Sequence, residues 1–253
     1  MTRTDVPSHA TLALSPRVVT SVLVAVLVVL LAAHAASQYA RFALGMGSLR
    51  GLTSRVYLGA EASVPAWFTA SLMLDASQLL FVIGYARRQV GAPDVWHWLV
   101  LAAIFILLSI DEAAEIHEAV SSAFTGVFAW LAQGVGGAFV PLLQKPGYHW
   151  VVGGAMLAGG VGIAYLRFLW ALPPRTSRGF VLAGVLYVAG AIGFELIGGS
   201  YSAQVGADNV VFVALMTIEE SLEIIGLIVF VHVLLVHVQS QFGPIQIRLL
   251  PQD

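Results

Sequence analysis

Cysteine is missing altogether from the 253 residues, which removes disulfides, thiolate metal sites and cysteine nucleophiles together. Charge is scarce as well: 10% of residues are Asp, Glu, Lys or Arg, where a soluble domain carries roughly a quarter. Lysine occurs once, at Lys145, and no basic run exists that could hold nucleic acid. What fills the chain instead is apolar, with 58% hydrophobic residues and a mean hydropathy of +0.87. That balance describes an all-α, polytopic integral membrane protein whose first partner is the lipid bilayer. The length leaves no room for a second folded domain beside several spans, so residues 1–253 are expected to form one membrane domain.

Apolar windows of about twenty residues, the length a bilayer requires, recur near 18–37, 64–85, 96–118, 149–171, 179–200 and 209–237. A six-helix bundle is therefore expected. The loops carry the punctuation, in "RRQVGAPD" (87–94), "PPRTSR" (173–178) and "SAQVGADN" (202–209). The first window is too long for the core of a signal peptide, although "AAHAAS" resembles a small-residue cleavage site; it is expected to remain as the first span. Residues 119–148, with Gly134, Gly136, Gly137, Pro141 and Pro146, read as an extension of the third helix followed by an interfacial segment between spans three and four. Residues 38–63 form a long first loop suited to lying at the membrane surface. With the N-terminus inside, Arg3, Arg17, Arg87, Arg88, Arg167, Arg175, Arg178 and Arg248 fall on the inner side, and Arg41, Arg50, Arg55 and Lys145 on the outer. This bias predicts a multi-pass plasma or inner-membrane protein with both termini in the cytoplasm.

The acids run against the apolar trend. Of 14, nine fall within or at the ends of spans: Asp75, Asp111, Glu112, Glu115, Glu118, Glu195, Glu219, Glu220 and Glu223. On the expected topology, those of the third, fifth and sixth spans reach one depth, in the outer half of the bilayer. At about 100° per residue, an unbroken third helix would hold Asp111, Glu115 and Glu118 within an arc of roughly 60°, with Glu112 on its flank and His117 turned away. Glu219 and Glu223 lie one turn apart on the sixth span, with Glu220 at the edge of their face. An ionised carboxylate at the bilayer centre costs about 2.5–3.5 kcal/mol on insertion scales, so several need compensation. No Lys or Arg sits inside a span to provide it; Arg167 is near an end. Protons, cavity water, the loop residues Arg41, Arg50 and Arg55, or a bound cation remain.

Three readings fit such acids: a polar core holding helices together, a salt-bridged outer surface, or a cation site. One or two polar residues suffice to hold helices together, which favours the cation site. Its expected members are Asp111, Glu115, Glu118, Glu195, Glu219 and Glu223. His34 or His117 would be the nitrogen ligand, and Asp75, Glu112 and Glu220 proton-relay positions. Carboxylates with histidine suit a divalent Fe, Mn or Zn ion better than Cu, and protons equally. Known motifs match only in fragments. "HEAVS" (117–121) has Ser121 where a zinc protease needs its second histidine, and the Glu-x-x-Glu pairs at 112/115, 115/118 and 220/223 lack the histidine of ferritin-like di-iron sites. Function divides accordingly between handling of a divalent metal ion or protons and a membrane-embedded metal-dependent oxidoreductase or hydrolase for a lipid-soluble substrate. An accessory subunit of a membrane complex is a third reading. The apolar inner halves of spans three, five and six weigh against a continuous polar path.

Overall fold

A computed structural model of the protein describes residues 11–13, 15–47, 51–123, 149–243 and 246–248. Among the described residues are six helices long and apolar enough to cross a membrane. The elements, in chain order, are β1 (Thr11–Ala13), α1 (Pro16–Ala43), α2 (Leu52–Val56), α3 (Val64–Gln89), α4 (Val95–Ala114), α5 (Ile116–Ala123), α6 (His149–Ala171), α7 (Pro174–Val188), a π-helical segment (Ala189–Phe194), α8 (Glu195–Val205), α9 (Val210–Phe242) and β2 (Gln246–Arg248). α7, the π segment and α8 run on as one long rod. The interfacial segment expected between spans three and four falls largely on 124–148, outside the described residues.

Local chemistry starts several of these helices. Pro16 and Pro174 occupy the first turns of α1 and α7, where the missing N–H would have no partner in any case. Ser63 accepts a hydrogen bond from the Ala66 N–H at the start of α3, and Asn209 accepts one from Phe212 at the start of α9. The first helix is longer than expected, continuing through the polar "HAASQYARFA" because His34, Ser37 and Gln38 are buried against neighbours rather than exposed.

α9 is the most deeply buried of the six long helices and packs against α1, α3, α7, the π segment and α8. One apolar cluster, with Leu80, Trp98, Phe180 and Leu234 among its members, fills the end of the bundle where the chain termini lie. A second, including Leu30, Leu72, Ile224 and Leu227, continues toward the far end. Polar side chains within this packing are satisfied locally. Ser77 donates to the Ala102 carbonyl at 2.8 Å and Ser109 to that of Ala70 at 2.8 Å, which ties α3 to α4 at two heights. Trp67, Trp96 and Trp170 are exposed near helix ends, whereas Trp98 is fully buried, with its indole N–H donating to Asp94 at 3.0 Å. The two terminal strands depart from the all-helical expectation. They pair antiparallel with Thr11 opposite Arg248 and Ala13 opposite Gln246, which puts both chain ends on one side of the bundle.

Candidate functional site

At the far end, the third expected span does not run straight through its acids. α4 stops at Ala114, and Glu115 adopts a left-handed conformation (φ 54°, ψ 36°), its N–H donating to the Asp111 carbonyl at 2.7 Å. The Asp111 carboxylate then turns to α5, accepting from the His117 backbone N–H at 2.7 Å and from His117 Nδ1 at 3.0 Å. Asp111 thus serves as the cap of the next helix. The arc expected for Asp111, Glu115 and Glu118 requires an unbroken helix, and the break at Glu115 removes it. Glu118 falls on α5, its side chain outside the described residues, as is that of His149 on α6.

Glu112, the residue expected on the flank, precedes the break and is the acid of α4 that reaches those of α9. Glu220 and Glu223 of α9 lie within electrostatic reach of Glu112 from α4 and Glu195 from α8. Glu219 and Glu195 approach closely enough for their carboxyl groups to hydrogen bond. Tyr187, on α7, shares the neighbourhood of Glu112, Glu220 and Glu223. All six side chains are half-buried. The rod that carries Tyr187 and Glu195 is shaped for this contact. A Cβ on Gly190 would meet the Glu219 carbonyl oxygen at 2.7 Å and Glu223 Cγ at 2.8 Å, so the π segment lies directly on the acidic face of α9. A π turn holds one more residue than an α turn. It therefore presents Glu195 about 100° away from the direction an unbroken helix would give it.

Other expected members stand elsewhere. His34 is buried between α1 and α9, where Nδ1 receives the Leu58 N–H at 3.2 Å and Nε2 meets Thr217 Oγ1 at 2.9 Å. The Thr217 hydroxyl donates onward to the Val213 carbonyl, which leaves Nε2 as the protonated nitrogen. Both ring nitrogens are then occupied. Asp75 is exposed on α3. Arg41 pairs with Asp208 at 2.6 Å and Arg55 donates to the Ala62 carbonyl at 2.9 Å; Arg50 lies outside the described residues. Among the described residues the ion pairs are Arg41–Asp208, Arg87–Asp94 and His117–Asp111, none of which reaches Glu112, Glu195, Glu219, Glu220 or Glu223. Nor, among those residues, are any three Asp, Glu or His side chains grouped so as to hold a metal ion.

Tyr57, in the loop after α2, connects this acidic group to the surface. Its ring lies 5.3 Å from that of His34, and the charges of Arg41 and Glu220 both act on its hydroxyl. Burial raises the phenol above its ordinary range, Arg41 opposes that and Glu220 adds to it, so the group remains a neutral donor at physiological pH. Tyr187 and Tyr57 both escaped the sequence reading, since a tyrosine between apolar residues has the appearance of packing. Beside the acids, Gly226 marks the close α7–α9 approach, where a Cβ would meet backbone atoms at 2.9 Å, whereas at Gly198 a Cβ would make only ordinary contact with α9.

A protein-family profile matches residues 20–238, from within α1 to within α9, and therefore takes in all of these acids. Its description reads "Domain of unknown function (DUF8692)". No curated protein and no solved structure matches the chain.

Proposed function

We propose that this chain, which belongs to the family so described, is a multi-pass membrane protein that takes up and releases protons at the carboxyl group formed by Glu112, Glu195, Glu219, Glu220 and Glu223. The observation that carries this reading is the meeting of acids from α4, α8 and α9 with no cation among their partners in the described residues. Two carboxyl groups can hydrogen bond to each other only when one of them holds a proton, so the closeness of Glu195 and Glu219 supports a proton site there. Five ionised carboxylates at this spacing in a low-dielectric bundle would repel strongly; fractional protonation relieves both the repulsion and the cost of burial. A divalent ion fits this arrangement less well, since among the described residues no three Asp, Glu or His side chains are grouped to hold one.

Proton exchange in this conformation is one-sided. Leu80, Ile83, Trp98 and Leu234, all fully buried, close the end of the bundle that holds the termini. The acids lie beyond this plug, where Glu220 acts electrostatically on Tyr57. Coupling to transport then needs a second conformation in which α9 shifts against α7 and that plug opens. The expected membrane is the plasma or inner membrane, with the termini on its cytoplasmic side. Arg17, Arg87, Arg88, Arg167, Arg175 and Arg178 at the terminal end, against Arg41 and Arg55 at the far end, support that orientation.

The test is infrared difference spectroscopy of the purified protein across a pH titration. Glu219→Gln and Glu223→Gln should each remove part of the carbonyl signal of protonated carboxylic acids, and Glu61→Gln should leave it unchanged. A signal indifferent to both substitutions would reject proton storage here. Stoichiometric Mn or Zn that co-purifies with the wild type and is lost in Glu223→Gln would favour the metal reading instead.

A further inference from the structure

Asp75 and Gln78 lie at the middle of α3, about equally far from its two ends, and both are exposed. The middle turns of the other long helices expose apolar side chains instead, among them Val28, Ile106, Leu157 and Ile225. Among the described residues, neither Asp75 nor Gln78 makes a hydrogen bond or an ion pair. At about 100° per residue, Ser71, Asp75, Gln78 and Val82 fall within an arc of roughly 60°. Trp67 and Tyr85, both exposed, extend that face toward the two ends of the helix. With α3 spanning a bilayer, as in the reading above, an acid and an amide stand exposed at hydrocarbon depth. Hydrocarbon offers neither donor nor acceptor, so polar groups at that depth turn inward or pair with one another. Here the fold leaves both uncovered.

We propose that a second copy of this chain covers this face, α3 against α3, about a two-fold axis along the membrane normal. Every copy inserts the same way round, so the two α3 helices run parallel and each brings both halves of a polar pair. The Gln78 side chain of one copy meets the Asp75 carboxyl of the other, and symmetry makes the contact twice. Three residues along a helix give an axial offset of about 4.5 Å, which the length of a glutamine can span. The amide has N–H donors and a carbonyl acceptor, so it pairs with the acid whether or not that acid holds a proton. Self-complementarity selects a second copy over an unlike partner. A lone acid would call for a foreign donor, whereas this face carries its own one turn away.

Disulfide cross-linking of the full chain in isolated membranes tests this, since the native sequence holds no cysteine. Ser71→Cys and Val82→Cys, on the same line of α3 either side of the pair, should each give a covalent dimer under mild oxidation. Leu157→Cys, at a comparably exposed position on α6, should stay monomeric. Adding Gln78→Leu should weaken association about tenfold, as expected for the loss of two interhelical hydrogen bonds, and cut the cross-linked fraction at low expression. Gln78→Leu alters an exposed position only, so its monomer should still be recovered in the membrane. No dimer from either α3 cysteine, equal dimerisation at Leu157→Cys, or a dimer indifferent to both Gln78→Leu and Asp75→Leu would overturn the proposal. Absence of the chain from the membrane fraction would reject the membrane reading and this one with it. Recovery there without a cross-link would reject the second copy alone.

Discussion

Glu115 is the one described non-glycine residue with positive φ. An L-residue in that conformation costs about 1–2 kcal/mol, because its Cβ crowds the adjoining carbonyl. Glycine carries no such penalty, so Glu115→Gly should raise stability by about 1 kcal/mol, whereas Glu115→Ala should not. Thermal unfolding in detergent distinguishes them; equal effects of the two would mean that the left-handed turn is not what limits this position. A different single-residue dependence belongs to Asp94, which precedes α4. Burial opposes its ionisation, but hydrogen bonds from Trp98 and Arg87 and the Arg87 charge outweigh it, holding the carboxyl below its ordinary range. Folding therefore favours the ionised form. The stabilisation is present at neutral pH and is lost as pH falls through the lowered folded-state value. Asp94→Asn should melt below wild type at pH 7, and the gap should close in acid; a gap that persists at low pH would assign the effect to packing around Trp98.

At the scale of elements, the join between α7 and α9 decides where the acids sit. A Cβ on Gly226 would come within 2.9 Å of both the Ala183 carbonyl oxygen and the Tyr187 amide nitrogen. Those are backbone atoms and cannot rotate out of the way, so the two helices approach as closely as they do only because residue 226 lacks a side chain. Gly226→Val should force them apart and destabilise the protein by about 1–3 kcal/mol, as overpacking does. The same substitution should weaken the infrared signal of the protonated acids, because Tyr187 and the π segment move away from Glu223. A stable variant with an unchanged spectrum would show that the helix spacing has no part in the site. The π segment makes the same point from the other side: Gly190 faces Glu219 and Glu223, and any residue larger than glycine would strike the α9 backbone.

The whole molecule has a direction. The β1–β2 pair puts both termini at one end, one apolar cluster fills that end, and the acidic group lies toward the other. With the termini in the cytoplasm, Ala207→Cys in the exposed loop before α9 should react with a membrane-impermeant thiol reagent added to intact cells. Arg175→Cys, exposed at the start of α7, should react only after permeabilisation. The absence of native cysteine makes each label unambiguous. The opposite labelling pattern would turn the acids to the cytoplasmic side.

The number of long helices, their approximate limits and the level of the acids along them were legible from the chain alone. Apolar runs of bilayer length, and the proline, serine and asparagine that start several of them, are local properties that packing does not need to supply. That acids on the third, fifth and sixth spans reach a common end of the bundle followed from the same bookkeeping of lengths. Which acids face one another did not. That depends on helical phase, and two local departures reset it: the left-handed turn at Glu115 and the π segment at 189–194. A one-residue irregularity rotates everything beyond it by about 100°: the turn at Glu115 ends the face that Asp111 begins, and the π segment brings Glu195 onto Glu219. Such irregularities persist because neighbouring helices hold them, through the Asp111 cap on α5 and the contact of Gly190 with α9. Only the tertiary structure therefore decided the membership of the site.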